Sequence, residues 1–225
     1  MSKHSVVFLI DVDNTLLDND RVVVDLRRHL EQVTGAQRSA RYWVHFEQLR
    51  KELGYADYLG ALQRYRLEHM HDPHLFEAST YLLDYHFANR LFPGSLDVVE
   101  HLTRWGPTVI LSDGDVVFQP HKIERSGLFE AVNGRVLVYV HKEQELDDVE
   151  GRYPANQYVM IDDKLRLLTA IKQIWGKRVT TVFVRQGHYA TDPQILAENP
   201  PADVSVERIG DLLQYDCARL LASTR

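Results

Sequence analysis

The order of apolar and polar positions divides the chain into two kinds of segment. Residues 6–10 form a continuous apolar run, rich in β-branched side chains, that stops at Asp11. Such a run predicts a strand buried on both faces. From about residue 21 to residue 89 the period changes. Apolar residues recur at helical spacing, as in Leu26, Leu30 and Val33, then Trp43, Phe46 and Leu49, then Tyr58, Leu62 and Tyr65, and last Tyr81, Leu82, Tyr85 and Phe87. Gly35, Gly54 and Pro73 punctuate this stretch, giving about four helices. Nothing in it reads as a strand.

Beyond Phe92-Pro93-Gly94 short apolar runs return, separated by helical patterns. The predicted order is a helix over 95–105, a strand over 108–111, a helix over 116–126, a strand over 135–140 and a helix over 143–149. A strand over 157–161, a helix over 165–175, strands over 179–184 and 204–206, and a helix over 209–221 complete it, with a turn at Asn199-Pro200-Pro201. Strands apolar throughout, alternating with helices, predict a parallel sheet covered on both faces. The expected fold class is α/β: a Rossmann-like parallel sheet core over residues 1–18 and 92–225, with a second, smaller all-helical cap over residues 19–91 inserted after the first strand.

Composition changes this picture little. A chain of 225 residues with 44% apolar content can build such a core unaided. The formal net charge of -6 gives no basic footprint for nucleic acid. It leaves phosphate substrates open, because local cations and a metal decide that. The single cysteine, Cys217, rules out an intrachain disulfide and a thiolate zinc site. It is expected as a small buried hydrophobe in a reducing compartment. The first residues do not read as a signal peptide, and no apolar stretch approaches a membrane span. The expectation is a soluble cytoplasmic protein with neither nucleic acid nor membrane as partner.

In parallel sheets ligands sit beyond the carboxyl ends of the strands. Those ends carry Asp11-Val12-Asp13-Asn14-Thr15, Ser112-Asp113-Gly114-Asp115, His141-Lys142 and Asp162-Asp163-Lys164. Carboxylates gathered at one edge repel unless a cation binds among them. Oxygen ligands favour a hard ion such as magnesium. Asp113 and Asp115 are read as caps or loop residues.

These motifs resemble the haloacid dehalogenase superfamily, specifically its phosphatase branch with a helical cap between the first and second motifs. The family's D-x-D-x-T is matched by Asp11, Asp13 and Thr15, its strand-end Ser or Thr by Ser112, and its acidic pair by Asp162 and Asp163. Its Lys is matched by Lys142, favoured over Lys122 because Lys122 lies inside a predicted helix whereas Lys142 directly follows a strand. Asn14 stands where Gly is common, Lys142 lacks the usual following Pro, and no further acid follows the fourth motif, where Arg166, Leu167 and Leu168 stand.

The resemblance implies magnesium-dependent hydrolysis of a small phosphorylated metabolite through an aspartyl phosphate. Asp11 would be the nucleophile and Asp13 the acid and base. Thr15 would fix the loop, Ser112 would bind phosphoryl oxygens and Lys142 would add positive charge. Magnesium would be held by Asp11, the backbone carbonyl of Asp13 and the Asp162/Asp163 pair, with either member the nearer ligand. A dehalogenase has no alkoxide to protonate, and its branch of the family lacks the second Asp. A phosphomutase or phosphotransferase would keep the same residues; a silent phosphate-sensing or protein-binding relative would not need both Asp11 and Asp13. The insert is expected to act as a lid that selects substrate through residues 55–86, with Arg64 and Arg66 as candidates. Its His69, His71, His74 and His86 fit no common zinc spacing.

Overall fold

The first strand, β1 (His4–Ile10), sends alternate side chains into two separate apolar clusters. Val6, Phe8 and Ile10 face one, Val7 and Leu9 the other. A strand so buried needs neighbours on both edges and layers on both faces. The computed structural model, which describes residues 3–224, supplies them. The strands β2 (Thr108–Asp113), β3 (Val136–Tyr139), β4 (Ala155–Asp162), β5 (Val179–Val184) and β6 (Val204–Val206) join β1 in one six-stranded sheet. Its order is β3-β2-β1-β4-β5-β6 and each pairing is parallel. The chain reverses direction of travel across the sheet between β3 and β4, so β1 and β4 lie side by side at the switch point.

Between β1 and β2 come α1 (Asn19–Thr34), α2 (Ala36–Leu53), α3 (Tyr58–Glu68) and α4 (Leu75–Leu83), then a short 3-10 turn at Phe87–Arg90. The core adds α5 (Ser95–Thr103), α6 (Phe118–Arg125), α7 (Leu128–Ala131), α8 (Leu146–Arg152), α9 (Leu165–Trp175), α10 (Gly187–Thr191), α11 (Pro193–Glu198) and α12 (Cys217–Ala222). No helix among the described residues is long and apolar enough to cross a membrane.

Most expected elements are present, with instructive exceptions. The helix expected over 209–221 is two pieces, a 3-10 turn at Ile209–Gln214 and then α12. Tyr215 is extended and the Asp216 carboxylate accepts from Arg219 N, a start signal that interrupts the apolar period. Cys217 is half-buried against the core rather than enclosed by it. The helix expected over 143–149 begins as a 3-10 turn at Lys142–Gln144 before α8. The short helices α10 and α11 carry no long periodic pattern; α11 starts at Asp192, whose side chain caps it ahead of Pro193.

The two connections to the insert are stitched to each other. Asp18 N donates to Arg90 O at 2.8 Å, Phe92 N donates to Leu16 O at 2.9 Å, and Leu17 bridges Leu91. Aromatic packing then seats the insert on α6, where Phe118 meets Tyr58 and Phe87 at 5.1 and 5.7 Å between ring centroids. His121 Nε2 donates to Leu83 O at 2.6 Å.

A further contact involves Gly54, the left-handed cap of α2, on which the His141 ring of the core rests. Gly127 has nearly the same backbone angles but open space around it. Gly127→Ala should therefore lose about 1–2 kcal/mol from left-handed strain alone. Gly54→Ala should lose on the order of 1 kcal/mol more, through overlap with His141. Denaturant unfolding checks this, and in a His141→Ala background the two losses should become equal.

Candidate active site

Register decides which side chains meet. Ile10 of β1 pairs with Ile161 of β4 and with Ile110 of β2, so the residues just beyond these positions converge at one sheet edge. Asp11 N donates to Ile161 O at 3.0 Å, which extends the ladder by one step and sets Asp11 beside Asp162. The loop then turns sharply, with Val12 O accepting from the amides of Thr15, Leu16 and Leu17. Asn14 takes a positive φ of 62° there, a conformation Asn tolerates, and this accounts for Asn at a position where Gly is common. The Asn14 amide side chain exchanges two hydrogen bonds with Asp20 at the start of α1.

The Lys142 ammonium is fully buried at the centre of this edge. Its Nζ lies 2.6 Å from Asp11 Oδ1 and 2.7 Å from Asp162 Oδ2, and donates to Leu111 O at 3.2 Å. The Asp162 contact is an ion pair without hydrogen-bond alignment. The Lys142 amide donates to Asp113 Oδ1 at 2.8 Å, which locks the segment to β2. Burial alone would push the lysine down, but Asp11, Asp162 and Asp113 outweigh it and hold Lys142 above the usual lysine range, fully charged. Thr15 Oγ1 donates to the other oxygen of Asp11 at 3.3 Å. The Asp11 carboxylate is thus gripped on both sides.

One ammonium does not satisfy all the carboxylates. Asp11, Asp162 and Asp163 each present an oxygen within 4.8 Å of the others, all buried. Both Asp163 oxygens are enclosed without a hydrogen-bond partner among the described residues. Burial pushes the Asp163 carboxyl well above its ordinary value, and the nearby Lys164 opposes this without reversing it. Asp162 is raised for the same reason, with Lys142 opposing. Orphaned carboxylate oxygens facing two more carboxylates are the donor set of a hard divalent cation, so the residues fit such an ion. The Asp13 carboxylate stands outside this group.

Asp13 is turned to Lys122 instead, whose Nζ lies 2.7 and 2.9 Å from its two oxygens. Ser112 is buried at the end of β2, where its Oγ accepts from Gln119 Nε2 at 2.9 Å; the same amide reaches Asp13 Oδ2 at 3.4 Å. Asp115 is a cap, accepting from the amides of Val117 and Phe118. Asp113 has a larger part than a loop residue, because it anchors Lys142 and its burial raises its carboxyl. Gln119 and Lys122 could have been found from sequence: with Phe118 and Ile123 they make the buried face of α6, so two polar residues occupy an apolar stripe.

A cavity of about 390 Å³ opens over this edge. The core lines it with Asp13, Asp113, Gln119, Lys164 and Tyr189; the insert adds Arg27, Trp43, Phe46, Arg50, Tyr55 and Tyr58. The insert's share comes from α1, α2, the turn after α2 and Tyr58 at the start of α3, so of residues 55–86, expected to select the substrate, Tyr55, Ala56 and Tyr58 line the cavity. Arg64 is held by exposed Glu52 and, like Arg66, does not line this cavity. None of the insert histidines belongs to a metal-ligating group among the described residues.

Residues 6–174 match the haloacid dehalogenase-like hydrolases. The chain is similar to a haloacid dehalogenase-like hydrolase from Burkholderia xenovorans LB400, at 64% identity and a TM-score of 0.91, over 95% of this chain and 100% of that one. A haloacid dehalogenase-like family hydrolase from Xanthomonas campestris shares the fold at 18% identity and a TM-score of 0.68, over 99% and 94% of the two chains. So does an L-2-haloacid dehalogenase from Xanthobacter autotrophicus, solved with chloropropionic acid covalently bound, at 16% identity and a TM-score of 0.59, over 92% and 96%. No curated protein matches the sequence.

The orphaned carboxylate makes a prediction that needs no substrate. A divalent cation, tested as magnesium at a hundred times its dissociation constant, should stabilise the protein by about 2.7 kcal/mol. Asp163→Asn should remove most of that gain in a thermal melt while leaving the cation-free protein at least as stable as wild type. An equal magnesium shift in both proteins would remove Asp163 from the cation site.

Proposed function

The chain belongs to the haloacid dehalogenase-like hydrolase family, and from that premise we propose that it hydrolyses a small phosphomonoester, with magnesium, through an aspartyl phosphate on Asp11. The observation that carries this reading is Asp13. It is an acid two residues past the nucleophile, and its partly exposed carboxylate lines the substrate cavity. Phosphate ester cleavage leaves an alkoxide that needs a proton; a departing halide needs none. The likeness to L-2-haloacid dehalogenases is one of fold.

In the first step Asp11 attacks phosphorus, an oxygen–phosphorus bond forms, and the bond to the leaving oxygen breaks. Asp13 gives that oxygen its proton. In the second step Asp13 takes a proton from water, which attacks phosphorus, releases inorganic phosphate and restores the Asp11 carboxylate. Lys142 and Thr15, one on each Asp11 oxygen, hold the nucleophile in a single orientation. The Ser112 hydroxyl and the backbone amides after Asp11 are the donors for the phosphoryl oxygens. Bound by Asp11, Asp162, Asp163 and the Asp13 backbone carbonyl, magnesium would supply the positive charge that lets a carboxylate approach a phosphate dianion.

Residues 19–91 act in this reading as a cap over the core of residues 1–18 and 92–225. The paired connections, Leu16–Asp18 against Arg90–Phe92, are the hinge. The aromatic and arginine side chains of α1 and α2 read the part of the substrate beyond the phosphate. Water, rather than a second substrate, is the acceptor, in keeping with a family of hydrolases.

The test is a paired assay with magnesium present: phosphate release from alkyl and aryl phosphomonoesters, and chloride release from 2-chloropropionate. Phosphate without chloride supports the reading; chloride without phosphate overturns it. Asp11→Asn should abolish turnover in a folded protein. Asp13→Asn should lower the alkyl phosphate rate by about 100-fold or more and the aryl phosphate rate by much less.

A further inference from the structure

Fully buried lysines are rare and need a partner, and this site contains two. Lys142 serves Asp11 and Asp162. Lys122 touches neither. Its Nζ, wholly enclosed, contacts both oxygens of Asp13 at 2.7 and 2.9 Å and donates to Asn19 Oδ1 at 3.1 Å. The remaining walls include the rings of Phe118 and Tyr58, 5.5 and 6.0 Å away. Asp13 is in the opposite situation. Its side chain is 22% exposed at the cavity edge, and its other side-chain partner is Gln119 at a long 3.4 Å. Without Lys122 the two torsions of a short side chain could turn the carboxyl into the cavity.

We propose that Lys122 is the positioning residue for Asp13: its ammonium grips both carboxyl oxygens from the buried side and leaves their outer sites facing the cavity, where one oxygen carries the proton that passes to the leaving oxygen of the substrate. This rests on the reading of Asp13 as the leaving-group acid. A carboxylate has room for it, since two oxygens offer about four acceptor sites. Placement matters because proton transfer succeeds only within hydrogen-bond reach of the leaving oxygen. Asn19, the first residue of α1, holds the ammonium from the insert side, and Asn19 Nδ2 in turn donates to Tyr58 OH at 3.2 Å. The lysine is therefore fixed by both layers that enclose the site.

A purely structural lysine at this position is a poor explanation. A buried ion pair is seldom more stabilising than an apolar residue of the same shape. Methionine has nearly the length of lysine and would pack against Phe118 and Tyr58, while water at the cavity edge could still solvate Asp13. Lys122→Met should fold, as a thermal melt will show.

With magnesium present, kcat of Lys122→Met on an alkyl phosphate should fall on the order of tenfold more than on an aryl phosphate. KM should change by no more than about twofold. Equal losses on both esters, or none, would overturn the proposal. A crystal structure of the same variant gives a second reading that needs no turnover: the Asp13 carboxyl should leave its wild-type position, and an unmoved Asp13 overturns the proposal. If wild-type protein releases phosphate from neither ester, the proposed function fails, and the Asp13 position in that crystal still decides what Lys122 does.

Discussion

Three carboxylates, Asp11, Asp162 and Asp163, are held in one buried space with oxygens less than 4.8 Å apart, and the site is organised around that repulsion. At the effective dielectric of a protein, each such pair of unit charges repels by on the order of 3–4 kcal/mol. Parallel register between β1 and β4 forces Asp11 and Asp162 together, and apolar clusters on both sheet faces hold that register in place. Lys142 offsets part of the charge, while Asp163 keeps two oxygens without a partner among the described residues. The fold thus maintains a defect that a divalent cation would relieve. Asp11, shared between Lys142 and the acidic group, lies where the two influences meet.

Charge and shape come from different parts of the molecule. The sheet edge carries the acidic group and Lys142. The walls beyond it belong largely to α1 and α2, with Trp43 under the Arg27 guanidinium at 4.3 Å, and Arg50 and Tyr55 further along. Insert and core also meet at the cavity margin, at Phe118 with Tyr58 and at His141 on Gly54. At a second rim contact the Asp20 carboxylate accepts from His188 N at 2.9 Å and pairs with the His188 ring at 2.6 Å. The cavity is thus walled by both layers.

Much of this was legible in the chain. Apolar runs fix the strands because both sheet faces are covered, and the residues just past them converge for the same reason: Asp11, Ser112, Lys142 and Asp162 all follow such runs. What escaped depends on packing rather than on period. Lys122 shares the apolar stripe of Phe118 and Ile123, which marks it as unusual, but only the packing of α6 shows that Asp13 is its partner. Arg64 looks like a substrate ligand until α3 turns it toward Glu52. The apolar stripes of α1 and α2 show which face is buried, but not that Arg27 and Arg50 border the cavity. The expected helix over 209–221 failed where a single capping aspartate, Asp216, outweighed a continuous apolar stripe.

In the proposed reaction the carboxylate of Asp11, and no other group, carries the phosphoryl group during turnover. Rapid quenching of the magnesium-loaded protein during turnover of an aryl phosphate, followed by mass spectrometry of the peptide containing Asp11, tests it most directly. A phosphoryl adduct on Asp11 that disappears when substrate is exhausted is the expected result. Steady phosphate release with Asp11 unmodified at every quench time, or an adduct on another residue, would contradict it.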